Sequence, residues 1–153
     1  MNESDFIERL IRWLERCGIR VDRYAFNLPP DVGGVYRTET REIFINEPNA
    51  REALLTLAHE AGHWLGYEMF GPGEGEPEIE AYIRERQAFV YGWRILCLIG
   101  AAPGLISRKD WIAAERGNIR TAAQQGHHPR IAGLGGRAEV LPDGSLQLLG
   151  EST

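Results

Sequence analysis

Residues 50–69 constrain this chain more than any other stretch, because they read as one helix with two different working faces. At 100° per residue, Leu54, Leu57, Ala58, Ala61 and Leu65 gather on one side, centred roughly 200° from His59. On the other side His63 falls about 40° from His59, and Glu60 about 100° from it. Asn49 and Glu52 form a capping-box pattern that starts the helix. Such a helix must press one face on a sheet or a bundle while the opposite face, which carries two imidazoles and a carboxylate, stays available for chemistry.

The spacing His59-Glu60-Ala61-Gly62-His63 puts two imidazoles one turn apart on one face, which suits two bonds to a single tetrahedral ion. Glu60 points beside them, within reach of a water on that ion but not obliged to bind it. A catalytic zinc needs a third protein ligand and one open position. The metzincin pattern would place a histidine six residues after the second, and that position is Met69. His127, His128 or an acid from a second helix are left. A second long helix is predicted over 78–99. On it Glu85 shares a stripe, within about 80° of Ala81, with Ala88, Phe89, Gly92 and Leu96. A carboxylate among small apolar residues is costly to bury unless a positive group meets it. Glu80 shares the polar side with Arg84, Gln87 and Arg94, and Glu78 lies in the first turn, where acids serve the helix dipole. Burial therefore favours Glu85 as third ligand; the competing explanation is an ion pair with Arg12 or Arg120. The residues predict a Zn²⁺ ion held by His59, His63 and Glu85. Glu60 is then the catalytic base for a water whose pKa the metal draws towards ~7. Tyr82, His127 and His128 are unranked candidates for stabilising an oxyanion. The small residues Ala81, Ala88 and Gly92 would let the two helices approach closely.

Around this pair the chain reads as α+β. Residues 5–17 form an amphipathic helix, with Ser4 as cap and Gly18 as stop. A strand is expected from Ile19 to about Phe26, and two more over Val35–Arg37 and Glu42–Asn46 around Thr38-Glu39-Thr40. The run Ile43-Phe44-Ile45 suits a strand covered on both faces. Residues 71–77 form an acidic, glycine-rich loop, and Ser107-Arg108-Lys109-Asp110 opens a helix to about Gln125. In the tail, Ala138–Leu141 and Ser145–Leu149 flank Pro142-Asp143-Gly144 and predict a small hairpin. The expected organisation is a domain over 1–125 followed by a glycine-rich tail over 126–153.

The 153 residues, 43% hydrophobic, suffice for one domain with a core. A net charge of −5 without a basic run argues against direct nucleic-acid binding. Cys17 and Cys97, eighty residues apart, form no CxxC motif. An acidic N-terminus where a signal peptide needs basic residues, and no apolar run long enough to span a bilayer, predict a cytoplasmic protein without a membrane partner.

The residues Gly34-Val35-Tyr36, Ile43-Phe44-Ile45-Asn46 and Leu55-Thr56-Leu57-Ala58-His59-Glu60-Ala61-Gly62-His63-Trp64-Leu65-Gly66 resemble the ImmA/IrrE metallo-endopeptidases. In that family a strand ending Ile-x-Ile-Asn precedes a T-L-A-H-E-x-G-H helix. The next helix carries a glutamate followed by a Gln-Ala-x-x-Phe pattern. Glu85-Arg86-Gln87-Ala88-Phe89 is similar to it, with the aromatic one residue early and Gly92-Trp93 in place of the small aliphatic end. The resemblance covers about residues 30–100 and independently favours Glu85. It implies a zincin-like fold, with a small twisted sheet packed beside the helix pair that carries the metal site. It also implies a zinc metalloprotease that cuts a peptide bond in a protein substrate, a helix-turn-helix DNA-binding repressor, as in phages and mobile elements. The tail 126–153 has no counterpart in that pattern.

Two other functions fit the same residues. A metal-stabilised regulatory protein could bind its partner without proteolysis, though a structural site has no need of Glu60. A zinc hydrolase could instead act on a non-peptide amide. Peptide deformylases share the helix motif but take a cysteine ligand from a glycine-rich context, which neither Cys17 nor Cys97 has.

Overall fold

The computed structural model describes residues 1–25, 28–29, 32–72, 77–114, 138–140 and 146–148. Helix α1 spans Glu3–Arg16, and short strands follow: β1 at Arg20–Asp22, β2 at Gly34–Arg37 and β3 at Glu42–Ile45. Two long helices come next, α2 at Ala50–Phe70 and α3 at Pro77–Ile99. A fourth helix, α4, is described over 108–114. Two tail strands close the described chain, β4 at Ala138–Val140 and β5 at Leu146–Leu148. The fold is α+β, as expected.

Local chemistry explains most of these boundaries. The α1 cap is Asn2, not Ser4. Asn2 Oδ1 accepts from the Asp5 amide at 3.0 Å and the Asp5 carboxylate accepts from the Asn2 amide at 2.9 Å, a reciprocal box that Ser4 cannot form from inside the helix. The helix ends as predicted at Gly18, whose φ of 83° lets Gly18 donate to Glu15 and Ile19 donate to Leu14, both at 3.0 Å. Strand β1 stops well short of Phe26, because Asp22 Oδ1 accepts from the Tyr24 amide at 3.0 Å and turns the chain. Asn49 caps α2 by accepting from the Glu52 amide at 3.1 Å. Ser107 accepts from the Asp110 amide at 3.1 Å and opens α4. The Asp110 carboxylate reaches instead to Arg51 on α2, at 2.6 Å.

The main sheet has the order β1-β3-β2, with β1 parallel and β2 antiparallel to the central β3. Ile43 and Ile45 point into the core, whereas Phe44 is only half-buried beneath the Arg37 guanidinium, 5.1 Å from its ring centre. The core covers one face of the strand, and on the other Phe44 is partly covered, with the Arg37 guanidinium over its ring. The predicted tail hairpin is present, with Glu139 opposite Gln147 in an antiparallel pair. Its first strand lies alongside α3.

Helix α2 is the axis of the core. Leu54, Leu57, Ala58 and Ala61 are buried against α1, the sheet and α3, and each buried leucine contributes about 1.5–3 kcal/mol. The approach of α3 is set by small residues. A Cβ on Gly62 would press into the Ala88 carbonyl oxygen and come within 2.8 Å of the Gly92 amide nitrogen. A Cβ on Gly92 would stand 2.9 Å from the Ala58 carbonyl oxygen and 2.7 Å from the Trp111 ring. Trp111 locks α4 to the same crossing by stacking on Phe89 and donating from Nε1 to the Phe89 carbonyl at 2.9 Å. No described helix is long and apolar enough to cross a membrane.

Candidate metal centre

The crossing at Gly62, Ala88 and Gly92 determines what meets one turn away. Glu85, three residues before Ala88, is carried to the imidazoles of α2. Its Oε2 lies 3.0 Å from His59 Nε2 and its Oε1 lies 3.1 Å from His63 Nε2. The two rings stand nearly perpendicular, at 88° with centroids 4.8 Å apart, so both ε nitrogens converge on one carboxylate. The three donor atoms all lie within 4.8 Å of one another, and this His-His-Glu group could hold a metal ion. Two nitrogen donors and one carboxylate fit zinc better than magnesium or calcium, which prefer all-oxygen sets.

Electrostatics favour the same assignment. Burial alone would push the Glu85 carboxyl up, but hydrogen bonds and charge from His59 and His63 outweigh it and hold the group well below the usual carboxylate range. Glu85 is therefore an anion aimed at two nitrogens. The alternative partner Arg12 is exposed on α1 and makes no ion pair with Glu85; Arg120 lies outside the described residues.

Glu60 is buried one position along from His59, at 8% exposure, and no described side chain bonds or pairs with its carboxylate. A buried carboxylate without a protein partner stays free to take a proton from a water or ligand in the cleft. The side chains of Glu78, Glu80 and Tyr82, and the whole of His127 and His128, lie outside the described residues.

Two elements flank the histidine face of α2. Strand β2 passes α2 closely at Gly34, where a Cβ would lie 2.6 Å from Thr56 Cγ2, one turn before His59. Helix α3 forms the other side. One turn beyond His63 lies Tyr67, whose ring meets Tyr36 of β2 at 6.1 Å and has the Arg84 guanidinium over it at 4.1 Å. Burial raises the Tyr36 phenol, and the nearby Arg41 opposes that shift.

Arg84 and Gln87 depart from the sequence expectation. The helical angle groups them on a polar side, yet they are buried, at 9% and 5% exposure. Arg84 donates to the Gly71 carbonyl at the end of α2 and to Gln87 Oε1 at 3.1 Å, and Gln87 packs on Gly66. A helical wheel shows which residues share a face but not what lies against that face. Gly66, which gives Gln87 room, was the sequence signal available for this contact.

No protein-family model, curated protein or solved structure matches the chain.

Proposed function

We propose that the chain is a zinc-dependent endopeptidase of zincin-like build, acting on a protein substrate of the helix-turn-helix repressor kind that its resemblance to the ImmA/IrrE metallo-endopeptidases implies. The convergence of His59, His63 and Glu85 from two helices, beside a buried Glu60 that pairs with no described side chain, carries this reading. A structural zinc site normally has its four positions filled by protein and has no use for a second carboxylate that stays off the ion. Among the described residues three donors converge, a number that suits an ion with one position for water or substrate.

His59 and His63 would bind through Nε2 and Glu85 through a carboxylate oxygen. When bound, zinc supplies a Lewis acid that polarises a carbonyl and makes water acidic near neutral pH. The Glu60 carboxylate accepts the proton of the attacking water and returns it to the leaving amine nitrogen. Burial of Glu60 and His59 limits the water that competes for that proton.

The test is metal content together with cleavage of a candidate repressor, for the native chain and for Glu60→Gln. Both should carry about one zinc, while the variant loses cleavage by about 10²–10⁴-fold. Tight binding of the repressor without cleavage by either protein would select the partner-binding function instead. Hydrolysis of small amides alone would select the non-peptide one.

A further inference from the structure

Arg84 is a buried cation that meets no described carboxylate. Its guanidinium donates to two neutral oxygens, of Gln87 and of Gly71, and lies against the Tyr67 ring. Those acceptors engage two of its five N–H donors, and among the described residues no carboxylate balances its charge. The carbonyl end of α2 supplies only about half an opposite charge. Of the acids described on the adjoining turns, Glu85 is committed to the two imidazoles and Glu68 to Arg41 at 2.8 Å. A buried charge of this kind is costly in the free protein and is relieved by an anion that arrives with the ligand.

Its position ties that anion to the metal centre. Tyr67 follows His63 by four residues, so its side chain neighbours the imidazole on the same face of α2. Arg84 immediately precedes Glu85. Tyr36, Tyr67 and Arg84 therefore form a row from β2 across α2 to α3, one turn beyond the three donors. A polypeptide lying along the histidine face towards the end of α2 meets this row within a residue or two of the bond at the metal centre.

We propose that Arg84, backed by Tyr67, forms a subsite for a carboxylate of the bound polypeptide, supplied by an acidic side chain close to the scissile bond or by the chain's C-terminus. This rests on the peptidase reading above, and it adds a chemical class of substrate to it. Arginine suits the task, because its planar fork pairs with carboxylates in two parallel hydrogen bonds, whereas lysine offers only a point charge.

The experiment uses the full zinc-loaded chain and pairs of quenched-fluorescence peptides. One set exchanges Glu for Gln at single positions on either side of the cleaved bond; a second compares a free C-terminus with its amide. The native protein should favour the acid by about tenfold or more in kcat/KM in one of the two sets, which identifies the carboxylate's source. In Arg84→Gln that ratio should collapse towards one, and Arg84→Lys should keep part of it. The ratio is internal to each protein preparation, so partial loss of folded enzyme does not alter it. If Arg84→Gln does not fold, Arg84→Lys and the salt dependence of the native ratio decide. An unchanged ratio in Arg84→Lys, or one insensitive to salt, counts against Arg84 as the reader. Equal rates for acid and neutral partners in the native protein overturn the proposal, as does a preference that survives Arg84→Gln. Binding of the same peptides to Glu60→Gln separates the two readings. Tighter binding of the acid form without hydrolysis by the native chain would refute the peptidase and keep the subsite.

Discussion

His63 Nε2 and Glu85 Oε1 lie 3.1 Å apart across a 22-residue separation in the chain, brought into hydrogen-bond reach by the packing of α2 on α3. The contact closes a carboxylate onto two imidazoles, so on the zinc reading Glu85 should matter more for the ion than for the fold. Glu85→Ala should lower zinc affinity by more than the ~10–100-fold typical of changes around metal ligands. The apo protein should lose less, because the two imidazoles left behind can turn to water in place of the carboxylate. Competition against a chromophoric chelator measures the first effect and urea unfolding in EDTA the second. Full retention of zinc would place the third ligand elsewhere.

The helix crossing gives a second prediction. Gly62 has no room for a methyl group against the backbone of Ala88 and Gly92. Gly62→Ala gains up to about 1 kcal/mol in helix propensity but forces the helices apart, at a cost of about 1–3 kcal/mol. The net should be destabilising by about 1 kcal/mol in denaturant unfolding. Zinc affinity should fall as well, because the same separation draws Glu85 from the imidazoles. An Ala variant more stable than the native chain would show that the crossing yields without strain.

The three candidate donors were legible in the sequence because they obey helical periodicity. His59 and His63 share a face by spacing alone, and Glu85 stood out as an acid within an apolar stripe. Ala88 and Gly92 announced a close approach for the same reason, and Gly62 completes it from the other helix. Contacts that depend on a neighbour's identity were less readable. Arg84 and Gln87 look like a solvated face until the end of α2 is set over them. The early stop of β1 falls where Arg23 interrupts the Ile19, Val21 alternation and Asp22 accepts from the Tyr24 amide.

The start of α1 shows the same difficulty and can be tested cleanly. Asn2 and Ser4 are both good capping residues two positions apart, and the choice between them rests on the reciprocal bond from Asn2 N–H to Asp5. Asn2→Ala should therefore cost about 0.5–2 kcal/mol of stability, while Ser4→Ala, inside the first turn, should change it by less than about 0.5 kcal/mol. Chemical denaturation of the two variants side by side distinguishes the caps. The reverse order would restore Ser4 as the helix start.

Glu47, just past β3, predicts how stability depends on pH. Its side chain is half-buried and faces Glu52 in the first turn of α2. Burial raises its pKa first, and the Glu52 charge and a hydrogen bond between the two side chains raise it further. An acid whose pKa is higher in the folded state favours folding while it is protonated. That contribution is complete below the ordinary glutamate value of about 4.3 and is lost as pH rises through the raised value. At neutral pH the ionised Glu47 is then a small liability, reduced by solvent because the side chain is only partly covered. Glu47→Gln keeps the shape and a donor towards Glu52 without the charge. Its Tm should exceed that of the native chain by about 1–2 °C at pH 7, and the gap should close near pH 4. Thermal melts at the two pH values in EDTA, which removes the metal's own pH dependence, measure it. A gap of equal size at both would mean that the two carboxylates do not interact.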